Sequence, residues 1–143
     1  MQIIPQNIQD LLDDFSQISD VREKFEFLIE LAEDLEDFPE SQKTIENKIT
    51  GCASDAWVVV SSDSDYSPVK ISGTGDAVIS KGILSFFIKC FDGLSAQEIL
   101  SIQKTSPSLF IDSGVISSLS PSRANGARAL LEKIYNECKQ HLI

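Results

Sequence analysis

The chain has 143 residues, which suits one domain and is long enough to bury a core, and at 42% hydrophobic and 24% charged it is ordinary globular material. Its 22 acidic residues outnumber 12 basic ones, for a net charge of −10. Such a surface repels nucleic-acid phosphates and anionic membranes, and it either favours a partner with a basic face or simply keeps the protein soluble. No segment reaches the ~18 apolar residues needed to span a bilayer. The opening MQIIPQNIQDLLDDF has neither the basic start and apolar core of a secretory signal nor the Arg/Ser-rich character of a transit peptide. Three widely spaced cysteines fit reduced thiols in a cytosol better than a disulfide framework, so a cytoplasmic protein is expected.

Ile8, Leu11, Leu12, Phe15 and Ile18 recur at helical spacing, and Pro5 suits the first turn of that helix. Asp20 with Glu23 forms a capping box for a second helix. Its stripe is expected to be Val21, Phe25, Leu28, Ile29, Ala32 and Leu35, with Pro39 ending it. The two helices are expected to form an antiparallel pair. Residues 40–47 are a polar connection, after which the period changes. Ala56 to Val60 is β-branched and aromatic and predicts a strand, Ser61 to Pro68 a turn, and Val69 to Ser72 the returning antiparallel strand. Thr44 to Thr50 could add a third. Gly73-Thr74-Gly75-Asp76 then breaks the sheet, and Asp76 caps a helix that is apolar nearly all round from Ala77 to Phe91, closed by Gly93. Ser95 with Glu98 makes a further capping box, for a helix through Ile102. Residues 105–118 are less periodic. Ser120 caps the last helix, Pro121 takes its first position, and Ala127, Leu130, Leu131, Ile134 and Tyr135 form its buried face. The pattern is α+β: helices, a small antiparallel sheet, then helices.

Cys52 stands apart from the other two cysteines. Cys90 lies among Phe86, Phe87 and Phe91 and reads as a small buried hydrophobe. Cys138, near the end of the last helix, is expected to be partly exposed and incidental. Cys52 follows Gly51, which permits backbone angles other residues resist, and it precedes the strand at Ala56. That setting suits a thiol on a turn at a sheet edge. There is no Cys-x-x-Cys for internal exchange and no pair of cysteines for a closed zinc site. The one histidine, His141, lies at the C-terminus, a poor position for a Cys–His nucleophile pair. Attack on a partner's sulfur–sulfur bond needs only thiolate, access and a leaving group, so thiol-to-thiol transfer survives these absences. Gly73-Thr74-Gly75-Asp76 lacks the Gly-Lys-Ser/Thr ending of a P-loop and is no phosphate cradle.

Three segments together resemble the SufE/CsdE family of sulfur-acceptor proteins. Gly51-Cys52-Ala53-Ser54-Asp55-Ala56-Trp57 resembles its Gly-Cys-x-Ser-x-x-Trp segment. Gly75-Asp76-Ala77-Val78-Ile79-Ser80-Lys81-Gly82 resembles its Asp-Ala-x-Ile-x-Lys-Gly helix start, and Leu119-Ser120-Pro121-Ser122-Arg123-Ala124-Asn125-Gly126 its Leu-(Ser/Thr)-Pro-Ser-Arg-x-x-Gly entry to the last helix. Order and spacing agree over nearly the whole chain.

The resemblance implies one SufE-like domain over residues 1–143, with a small antiparallel sheet flanked by helices as in IscU-type scaffolds. It implies that Cys52 accepts a persulfide sulfur from a cysteine desulfurase of the SufS/CsdA kind, relays it to a downstream acceptor or cluster scaffold, and stimulates the desulfurase. No cofactor is expected on this chain, since pyridoxal phosphate would belong to the desulfurase, and no metal, nucleic acid or membrane is expected. Gly51, Asp76 and Arg123 are the expected supports. Arg123 could pair with Asp55 or Asp76 and brace the Cys52 loop, or make an ordinary surface ion pair. The carboxylate of Asp55 would disfavour the thiolate slightly. Two rival readings remain: an iron–sulfur or metal scaffold, and a noncatalytic partner-binding module.

Overall fold

The computed structural model describes residues 4–51, 54–64, 66–112 and 119–141. Pro5 precedes α1 (Gln6–Ser16), which buries Ile8, Leu12 and Phe15. Asp20 caps α2 (Val21–Ala32), its carboxylate accepting from the backbone N–H groups of Arg22 and Glu23, without the reciprocal contact from Glu23 that a capping box requires. The α2 stripe centres on Leu28 and Leu31, whereas Val21 and Ile29 are exposed. Pro39 does not end this helix, which stops at Ala32. No basic residue occupies its last turn, and Glu33, Asp34, Glu36 and Asp37 follow, a charge run that opposes the negative end of the helix dipole. Nor do α1 and α2 form a pair on their own. They touch where Phe15 meets Phe27, ring centroids 6.2 Å apart, but each packs chiefly on α3 (Val78–Phe91).

After a single 3₁₀ turn at Glu40–Gln42, the chain enters the sheet region. Here β1 (Ala56–Ser61) pairs antiparallel with β2 (Lys70–Gly75), Ala56 opposite Gly75 and Ser61 opposite Lys70. The third strand reduces to one bridge, Lys48 opposite Trp57, flanked by Ile49 N–H to Ala56 O and Val58 N–H to Asn47 O, both 2.9 Å. Gly73-Thr74-Gly75 does not break the sheet; it is the second half of β2. A Cβ on Gly73 would lie 2.5 Å from the Trp57 carbonyl oxygen and 2.6 Å from Leu84, so glycine is what lets β2 press between β1 and α3.

The core is centred on α3, which buries eight residues from Gly82 to Phe91. A Cβ on Gly82 would sit 2.1 Å from the Leu28 carbonyl oxygen, so this glycine sets the close approach of α2 to α3. Edge-to-face rings continue the core, with Phe15 on Phe86 at 5.9 Å, Phe87 on Phe110 at 5.2 Å and Phe91 on Phe110 at 5.9 Å. Gly93 (φ +81°) closes α3, and Ser95 and Glu98 form the expected capping box of α4 (Ala96–Thr105). A single turn, α5 (Leu109–Asp112), follows. Ser120 caps α6 (Pro121–Gln140), whose expected face is buried together with Ala124 and Cys138. Cys138 is thus fully buried rather than partly exposed. The architecture is α+β, and no described helix is long and apolar enough to cross a membrane.

Candidate functional site

The connection from Ile49 to Ala56 carries the Gly51-Cys52 segment; Cys52 and Ala53 themselves lie outside the described residues. Its two ends are joined by the Ile49 N–H to Ala56 O bond. Across the same base, Lys48 Nζ meets Asp55 Oδ1 at 3.0 Å, so the carboxylate beside the segment is matched by a cation. Gly51 takes φ +96°, the left-handed region that favours glycine, and its Cα faces Ala129 of α6, whose Cβ would be 3.4 Å from an added one. The Asp76 backbone N–H donates to Asp55 O at 2.9 Å and fastens the far end of the connection to β2.

Asp76 does not cap α3. Its N–H extends the β2 ladder by one residue, the helix begins two residues later, and its N-cap is Ala77, which has no side-chain acceptor. Among the described residues, the first-turn N–H groups of α3 therefore have no side-chain cap. They border a cleft of about 440 Å³ between the starts of α3 and α6. Ser54, two residues beyond Cys52 in sequence, lines it together with Ala77 to Ser80, Ile83, Ser122, Arg123, Gly126, Ala127 and Leu130.

Arg123 is exposed at this cleft, and its guanidinium carbon stands 4.8 Å from the centroid of the Phe25 ring on α2. It forms no ion pair with Asp55 or Asp76, since Asp55 is taken by Lys48. Neither α3 nor α6 has an acidic residue in its first turn. Two helix N-termini and one arginine thus each contribute positive charge at the cleft, which favours an anion such as a thiolate or persulfide, while the Asp76 carboxylate just before the α3 N-cap opposes it. Phe25, Lys48 and Ala129 are contacts that sequence reasoning missed. Only Lys48 carried a signal, as the cation nearest the Gly51-Cys52 turn.

The two described cysteines are unsuited to the same chemistry. Both are fully buried, and burial pushes both thiols up, Cys138 to about 12. His141 is remote as well. Its Nε2–H donates to the Val60 carbonyl at 2.8 Å, near the opposite end of β1 from Ala56, roughly 13 Å away at ordinary strand rise.

The model of the family described as "SufE: Fe-S metabolism associated domain" matches residues 9–138. An uncharacterized SufE-like protein of Rhizobium meliloti is 32% identical over 138 residues, covering 95% of this chain and 97% of that protein. The SufE-like protein 1, chloroplastic/mitochondrial, of Arabidopsis thaliana is 30% identical over 129 residues, covering 90% of this chain and 34% of that longer protein. In fold, the chain is similar to the solution structure of a hypothetical protein from Thermus thermophilus, with a TM-score of 0.78, 16% identity and 98% coverage of both chains.

Proposed function

The chain belongs to the SufE family, whose domain is associated with Fe–S metabolism, and on that premise we propose that it is the sulfur acceptor and activator of a cysteine desulfurase. Cys52 is the acceptor. Its thiolate attacks the outer sulfur of a persulfide on the desulfurase. A sulfur–sulfur bond forms on Cys52 as the donor's own sulfur–sulfur bond breaks, the proton of the outer sulfur travels with it, and the donor cysteine leaves as thiolate. Oxidation state is conserved overall, so the step needs no external oxidant. A downstream acceptor removes the sulfur by the same exchange in reverse.

One observation carries this reading. Ser54, beside the Cys52 segment, lines a cleft whose other walls are the uncapped start of α3 and the Arg123 turn of α6. A thiolate and a persulfide anion are both stabilised by such surroundings, and Lys48 offsets the carboxylate of Asp55, the one closest to Cys52 in sequence. The burial of Cys90 and Cys138 supports the choice of Cys52. Gly51 supports the turn, Asp76 anchors it through its backbone, and Arg123 supplies charge at the cleft. Pyridoxal phosphate belongs to the desulfurase in this scheme, and the cytoplasm is the expected compartment.

The test uses a cysteine desulfurase supplied with cysteine. Adding the wild-type protein should raise the rate of alanine release, and Cys52→Ser should not. Equal stimulation by both would contradict the proposal and favour a noncatalytic binding module.

A further inference from the structure

Among the described residues, strand β2 has an edge that is free beyond Val69. The bond from Asp76 N–H to Asp55 O makes Asp55 and Asp76 a hydrogen-bonded pair, and such pairs recur at every second residue of an antiparallel ladder. Thr74, Ser72 and Lys70 therefore turn their backbone groups toward β1, while Ile71 and Gly73 turn theirs away. Val69, of the same parity as Ile71, donates to Leu94 O at 2.9 Å, so the free side is occupied at its very start. Beyond it, no backbone hydrogen bond reaches Ile71 or Gly73 from that side among the described residues. Both residues are largely buried yet border a cleft, and backbone groups in such a place need a partner, protein or water.

A cleft of about 390 Å³ runs along this edge, lined by Ile71, Gly73, Glu36, Ser85, Lys89 and Asp92 among others. Ser85 is 2% exposed, and its hydroxyl has no hydrogen-bond partner among the described residues. The edge and this hydroxyl are independent observations of unmet hydrogen bonding in one cleft. Charge narrows the occupant further. Lys70 is matched by Glu36 at 3.3 Å and Lys89 by Asp34 at 3.0 Å, while Asp92 has no ion pair among the described residues. Residues 1–46, which supply one wall, hold thirteen of the 22 acidic residues and three of the 12 basic ones, so they carry the whole net charge of −10.

We propose that the β2 edge takes an extended, lysine- or arginine-bearing segment of a partner protein as an added strand. The segment's backbone pairs with Ile71 and Gly73, a polar side chain meets Ser85, and a basic one meets Asp92. This site shares no lining residue with the sulfur-acceptor cleft and stands independently of that reading.

The test is amide exchange and chemical-shift mapping by NMR on the full chain. Without peptide, the Ile71 and Gly73 amides should exchange faster than those of Ser72 and Thr74. A peptide of alternating lysine and valine, as long as β2, should shift and protect the Ile71 and Gly73 amides. Methylating its backbone nitrogens, or replacing its lysines by glutamate, should abolish the effect. Asp92→Asn, checked for an otherwise unchanged spectrum, should weaken binding about twofold to fivefold, as loss of one rim charge pair implies. Ile71 and Gly73 amides that are slow in the free chain, that do not move with the peptide, or that respond equally to the methylated one would overturn the proposal. So would shifts that grow with protein concentration alone, since the occupant would then be a second copy of this chain.

Discussion

At Gly51 the backbone adopts an angle that a side chain resists, one residue before the proposed acceptor. Gly51→Ala should cost about 1–2 kcal/mol, read as a lower urea midpoint at unchanged slope, and should slow sulfur acceptance as well. Cys138 gives a pH prediction. Its folded pKa, raised by burial to about 12, lies above the ordinary thiol value. Between about pH 9 and 12 the unfolded chain therefore loses a proton that the folded chain keeps. Stability should fall with rising pH in that window, by up to about 1.4 kcal/mol per pH unit for this thiol, and should be unaffected by it below. Denaturant melts of wild type and Cys138→Ala across that range would show it: the slope should be shallower in the variant. Cys138 was expected to be partly exposed, yet its burial was legible, because Ala127, Leu131, Ile134 and Cys138 continue one stripe at steps of three and four. The partner of Arg123 was not. Which aromatic or carboxylate lies under a guanidinium is decided by how α2 and α6 come together, and the sequence offered several acids but no geometry.

Elements whose signals are local were readable from the chain alone. Ser95 with Glu98, Ser120 with Pro121, the β-branched and aromatic run of β1 and the alternating start of β2 each specify their structure within a few residues. Elements whose limits depend on tertiary contact were not. The glycines of β2 resemble a breaker in sequence, yet Gly73 is the residue that admits Leu84 and the Trp57 carbonyl. The Asp76 cap failed for a related reason, since a backbone bond to Asp55 holds that residue in the sheet's line. Gly82 at the α2–α3 crossing gives the sharpest element-scale prediction. Gly82→Ala must push α2 away from α3 and should destabilise the protein by on the order of 3 kcal/mol, with near-ultraviolet dichroism from the Phe15–Phe86 region altered. A loss below about 0.5 kcal/mol would mean that the crossing is not set by this glycine.

Over the whole molecule, charge and chemistry are segregated. The acidic N-terminal third carries the net charge, whereas the remaining residues, including both ends of the Cys52 connection and the α6 start, balance to zero. Association with a basic partner should accordingly be fast at low salt and slow as ionic strength rises through the physiological range, while the dissociation rate changes less. Stopped-flow mixing with the proposed desulfurase partner over a salt series would measure both. In the proposed transfer, the cleft at the α3 and α6 starts would need no such long-range steering once docking has occurred, because backbone dipoles and Arg123 act there at close range. The central claim is that sulfur resides on Cys52. The most direct measurement is peptide mass spectrometry after incubation with a cysteine desulfurase, cysteine and pyridoxal phosphate, followed by rapid alkylation. One extra sulfur on the Cys52 peptide, absent in Cys52→Ser, is the predicted result; sulfur spread equally over the Cys52, Cys90 and Cys138 peptides would contradict it.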